Sequence, residues 1–122
     1  MKQAVKTDKS PVPAGPYSQA LVTEHHIFVA GQGPVDVATG QKEATVAGQT
    51  RQVLLNIKNI LKTAGATMND VVKVSAFLAD MKDFAEFNDV YKEFFTEPFP
   101  VRTTVGAQLA DILVEIDVIA LA

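Results

Sequence analysis

The sequence contains neither cysteine nor tryptophan. The first absence excludes disulfides, thiolate nucleophiles and cysteine-based metal sites, and it fits a cytoplasmic address. The second removes a stacking platform for unpaired bases. Basic charge is scarce as well: 11 Lys and Arg against 14 Asp and Glu leave a net charge of −3, and the cations are scattered, so nucleic acid meets no basic field. No apolar run approaches the roughly 18 residues of a transmembrane helix. Met1-Lys2-Gln3-Ala4-Val5-Lys6-Thr7 has no apolar segment behind its lysines, so a secretory signal is not expected. Gly31-Gln32-Gly33 lacks the spacing and the lysine of a phosphate loop. Ser10, Ser18 and Ser75 have no evident His–acid support for nucleophilic attack. His25 and His26 are adjacent, point apart and have no third ligand nearby in sequence, so no metal is expected there.

What is present describes a folded protein. In 122 residues, 48% are apolar and 20% charged, enough for one domain spanning 1–122 with a real core. Pro11 to Pro16 is a stiff turn segment feeding a short strand at Tyr17–Val22. A polar connection then leads to a second strand at Ile27–Ala30, making a hairpin. Gly31 to Pro34 ends that strand with N–H groups free to face a pocket. Val35 to Gly40 is a further, weaker strand candidate. Apolar residues at helical spacing predict a helix over about 44–64, closed by Gly65. Val71–Ala79 is a β-branched strand. Asp83 offers an N-cap to a second helix over about 84–95 that buries Phe84, Phe87, Tyr91, Phe94 and Phe95. Two closing strands follow, the second over 112–121. The order β-β-(β)-α-β-α-β-β points to an α+β sandwich, a sheet with both helices on one face. Apolar residues fall on both faces of strands 71–79 and 112–121, so the uncovered face must meet another apolar surface. A homo-oligomer is expected.

The chemistry concentrates in the last quarter. Two prolines deliver Arg102 to the start of an extended run, and its fork of donors suits a carboxylate better than lysine would. Glu115 sits between Val114 and Ile116 in a strand that wants burial, and a partly buried carboxylate has a raised pKa suited to moving protons. If residues 107–111 close a hairpin, Arg102 falls opposite about residue 116, and a plain cross-strand ion pair with Glu115 or Asp117 competes with a ligand site. Asn88, beside Phe87, is placed to reach toward a site, whereas Tyr91 reads as core.

Four blocks, Pro13-Ala14-Gly15-Pro16-Tyr17-Ser18-Gln19-Ala20, Val29 to Pro34, Phe99 to Val105 and Val114 to Ala120, closely resemble the Rid/YjgF family over nearly the whole chain, in particular its RidA branch of imine/enamine deaminases. The resemblance implies a chorismate-mutase-like fold, a homotrimer with sites between subunits, and hydrolysis of 2-imino acids released by PLP enzymes to 2-keto acids and ammonia, without a cofactor. It implies Arg102 as the holder of the substrate carboxylate and Glu115 as the activator of water. Gly31, Tyr17, Ala30 and Asn88 would line the site. Ala30 stands where many relatives have serine, Ala110 where they have proline, and Gly33 where they have an aliphatic residue. Two other readings stay open: a non-catalytic, chaperone-like trimer that captures small carboxylates, and, against the acidic charge, a ribonuclease or translation inhibitor.

Overall fold

The computed structural model describes residues 1–122. Its elements are β1 (Gln3–Val5), β2 (Ala20–Val22), β3 (His26–Gln32), α1 (Val46–Thr63), β4 (Val71–Leu78), α2 (Phe84–Tyr91), β5 (Val101–Gly106) and β6 (Val114–Leu121). The six strands form one mixed sheet in the order β1-β2-β3-β6-β4-β5, antiparallel except for the parallel pair β4 and β5. The third strand is not where the sequence suggested. Val35–Gly40 makes only an isolated bridge between Asp36 and Gln41, while residues 3–5, not assigned to a strand above, pair with β2.

The first helix begins where Thr45 caps it, the hydroxyl accepting from the Gly48 N–H. Val53, Leu54, Ile57, Ile60 and Leu61 form its fully buried stripe. Ala64 closes it, and Gly65 turns the chain away with φ of 86°, a left-handed value that glycine adopts at little cost. The second helix is shorter than the aromatic spacing predicts. After Tyr91 the chain tightens into turns, with Glu93 and Phe94 N–H groups donating to Val90 and Tyr91 carbonyls, which still delivers Phe95 to the core. Phe84, expected inside, is 37% exposed. Asp83 occupies the cap position without a capping bond. Before it, in the turn Met81–Asp83, the Asp80 and Met81 carbonyls already accept from the Asp83 and Phe84 N–H groups, and the Asp80 side chain caps that turn by accepting from the Lys82 N–H.

The closing strands do not form a hairpin. Strand β4 lies between them: the Ala107 N–H donates to the Leu78 carbonyl on one side, and the Ala79 N–H donates to the Leu113 carbonyl on the other. The connection thus straddles the end of β4, whose apolar residues gain two strand neighbours instead of one. Arg102 consequently pairs with Val74, and Glu115 with Phe77, so the cross-strand ion pair that competed with a ligand site is absent.

Register then sorts side chains between faces. Ala20, Val29, Val118, Val74 and Arg102 form one continuous row across the sheet, and all but Arg102 are core. Arg102 therefore ends a row on the face that the helices cover. The neighbouring row, Leu21, Phe28, Ile119, Lys73 and Val101, lies on the opposite face, which no element of the protomer covers. Glu115, Phe77 and Val105 belong to that open face too.

Candidate functional site

On the helix side, α2 presents Phe84, Phe87 and Tyr91, at i, i+3 and i+7, to the edge strand β5. The Arg102 guanidinium carbon lies 4.5 Å from the Tyr91 ring centroid, 5.3 Å from that of Phe87 and 5.6 Å from that of Phe84. Such contacts stabilise a cation by about 0.5–2 kcal/mol, more as water is excluded. Arg102 is half-buried, and no carboxylate stands within ion-pair distance of it. Its donors are left for something else. Asn88 shares this face of α2, half-buried and with no hydrogen bond from its amide.

On the open side, β3 carries one extra residue between the pairs Val29–Val118 and Gln32–Ile116, a bulge at Ala30 and Gly31. The bulge brings the backbone against Glu115: a Cβ on Gly31 would lie 2.6 Å from Glu115 Oε2. Only glycine leaves room for that carboxylate. The bulge is braced from behind. Fully buried Asn56 of α1 donates to the Gly33 and Val35 carbonyls, and Gln19 clamps the incoming segment by donating to the carbonyls of Thr7, Ser10 and Pro11. Glu115 is half-buried and makes no hydrogen bond within the protomer. Tyr17, 51% exposed, accepts a bond from the Ala14 N–H and borders three open depressions, two of them shared with other candidate residues. One, of about 150 Å³, it shares with Gly31; the other, of about 610 Å³, with Leu21, Phe28 and Ala30. Neither depression is lined by Arg102 or Asn88.

The structure thus brings Tyr17, Ala30, Gly31 and Glu115 together and holds Arg102 with Asn88 apart from them, on the other face. Sequence reasoning passed over three neighbours of these groups. Tyr91, read as core, is the ring nearest Arg102. Thr104, two residues along the same face of β5, has a buried hydroxyl with no partner, as does Tyr91. Asp117, on the open face beside Ser75, is the carboxyl whose pKa burial pushes up, with the Ser75 hydroxyl and the Lys73 charge pulling the other way. The recurrence of aromatics at i, i+3 and i+7 on α2 was visible, but only the parallel β4–β5 pairing shows that it faces Arg102. No group of three acidic or histidine side chains is arranged to hold a metal, and no helix is long and apolar enough to cross a membrane.

A mixed sheet covered by two helices, with an unpaired arginine on one face and a glycine-seated carboxylate on the other, defines a small α+β protein of the Rid type. The family model described as endoribonuclease L-PSP matches residues 7–122. A RutC family protein of Pyrococcus horikoshii is 47% identical over 98% of each chain. A 2-iminobutanoate/2-iminopropanoate deaminase of Bos taurus is 42% identical over 98% of this chain and 90% of its own. The solved structure of Escherichia coli TdcF with bound serine superimposes with a TM-score of 0.93 at 36% identity, covering 98% of both chains. The chain belongs to the Rid/YjgF family.

Proposed function

We propose that this protein is a 2-iminobutanoate/2-iminopropanoate deaminase, hydrolysing 2-imino acids and their enamine tautomers to 2-keto acids and ammonia in sites formed between copies of a homotrimer. The observation that carries this reading is Arg102: a guanidinium without a counter-ion, half-buried on an aromatic surface, with its donors unspent. A small carboxylate is the partner its fork fits. The relatives that share the family include named imine deaminases, and their substrates carry that group.

In this reading Arg102 holds the carboxylate and so fixes the C=N carbon. Glu115 of a neighbouring copy accepts a proton from water as its oxygen bonds to that carbon, while the nitrogen takes up a proton. Glu115 then returns its proton to the amine of the carbinolamine. The C–N bond breaks with its electron pair going to nitrogen, the hydroxyl proton is lost, and ammonia and the keto acid remain. The imine is already electrophilic, so positioning and proton transfer supply what the reaction needs, with no cofactor. The Gly31 backbone contacts the polar end of the substrate, Tyr17 walls the cleft, and Asn88 supports the Arg102 side. Ala30 offers bulk but no hydroxyl.

The test is a coupled assay in which a threonine or serine dehydratase generates the imine and keto-acid formation is followed in semicarbazide. Wild-type protein should accelerate hydrolysis, Arg102→Ala should not, and Glu115→Gln should bind carboxylate without turnover. The serine held by the TdcF structure favours a second reading, capture of a small carboxylate without chemistry. Equal hydrolysis with and without the wild-type protein would leave that reading in place of the enzyme.

A further inference from the structure

We infer that Tyr91 is a positioning residue for Arg102, its ring forming the fixed floor that holds the guanidinium ready for a carboxylate; this rests on the carboxylate-clamp reading above. Of the rings that contact Arg102, that of Tyr91 is the nearest, at 4.5 Å. It is held in place, being 8% exposed and packed at a tilt between Phe87, with centroids 5.5 Å apart, and Phe95, at 4.6 Å. An arginine side chain has many rotamers, and a ligand that must first order it binds more weakly for doing so. A ring that orders it beforehand removes that cost, and its attraction, exerted on the cation through the ring's quadrupole, leaves N–H donors for a carboxylate.

A carboxylate at the same place would order Arg102 equally well but would compete for its fork. Tyr91 offers no such competition. Burial pushes its hydroxyl pKa above the ordinary value of 10.0, against the pull of the Arg102 charge and hydroxyl contact, so near neutral pH it carries no negative charge to pair with the guanidinium. The neutral ring, not an ion pair, is what Arg102 rests on.

The experiment compares Tyr91→Leu with Tyr91→Phe, each in the wild-type and Arg102→Ala backgrounds. It measures KM and kcat in the coupled assay in the wild-type background, and the affinity for 2-oxobutanoate by calorimetric titration in both backgrounds. Tyr91→Leu should raise KM and weaken 2-oxobutanoate about 10-fold while kcat falls less than about 3-fold, because the clamp is loosened and the water-activating carboxylate is untouched. Tyr91→Phe, which keeps the ring, should retain affinity within about 2-fold. In the Arg102→Ala background Tyr91→Leu should cost nothing further, since a floor with nothing on it has no effect on binding. Wild-type affinity in Tyr91→Leu, an equal loss in Tyr91→Phe, or the same loss repeated without Arg102 would each overturn the inference; the last would assign Tyr91 to packing alone. Undiminished affinity in Arg102→Ala would instead overturn the clamp reading itself, and this inference with it.

Discussion

On the helix-covered face of the sheet, Arg102 is held by aromatic rings and has no charged partner; on the open face, Glu115 is held by a bulge and a glycine and has no hydrogen-bond partner. Each group is well supported, and neither is satisfied. They stand on strands separated by β4 and point to opposite sides of it. A single protomer therefore cannot close both around one small substrate. The open face also carries Leu21, Phe28 and Ile119 in one uncovered apolar row. In the trimer proposed above, a second copy covers that row, and one protomer's edge strand meets another's bulge. The two faces teach that incompleteness here is complementary: what each face lacks, the other carries.

The sharpest way to break this comparison is to damage each face in a different copy. Arg102→Ala and Glu115→Gln proteins should each be inactive alone. Unfolded together in equal amounts and refolded, they should recover about a quarter of wild-type activity, because in a random closed ring about one junction in four joins an intact arginine to an intact glutamate. Recovery absent despite mixed assembly would place both groups of a working site in one protomer. Next in size is Phe28→Asp. The ring is 44% exposed in the protomer, so the fold should survive, but a charge set in a buried apolar contact is costly. Light scattering should report monomer, with activity down at least about 10-fold. An unchanged mass would remove the open face from the interface.

The sequence disclosed these faces unevenly. Helix α1 and its glycine stop were legible within two residues at each end, because a long apolar stripe and a glycine just past it leave strong local marks, whereas its Thr45 cap was not read. Arg102 and Glu115 stood out as charges in apolar strands. Their relation did not, because residues 107–113 resemble a hairpin loop locally, and only the long-range insertion of β4 separates the strands. Residues 3–5 gave no strand signal of their own; they become a strand by pairing with β2, with Val5 as their one buried side chain. The Gly31 bulge was legible as unusual backbone, but what it approaches was not.

That approach gives the next prediction. In Gly31→Ala the new methyl meets Glu115 Oε2 at 2.6 Å, with the carboxyl carbon at 3.2 Å, so the side chain must move. Glutamate is flexible, and the fold should lose little, about 1 kcal/mol or less. Turnover should fall about 10- to 100-fold with KM changed much less, because the displaced group is the one assigned to chemistry and not to carboxylate binding. A loss confined to KM would instead place Glu115 on the binding side, next to Arg102 in role.

The smallest expected effect concerns Asp117, one row from Glu115 on the open face, where burial raises its pKa. A carboxyl whose folded pKa lies above its unfolded one favours the folded state while protonated. That advantage is lost as pH rises from the ordinary value through the raised one. Wild-type thermal stability should therefore fall relative to Asp117→Asn across that window, with the variant equal or about 1–3 °C more stable at pH 7. The amide oxygen keeps an acceptor for Ser75, so the change tests charge more than shape. A variant that loses more stability at pH 7 than at pH 4 would mean that the Lys73 charge outweighs burial. Covering the open face desolvates Asp117 further, so the gap between wild type and Asp117→Asn should narrow in the Phe28→Asp background, where that face stays in water. A gap of equal size in both backgrounds would show Asp117 to lie outside the covered surface, and would confine the contact between copies to the apolar row beside it.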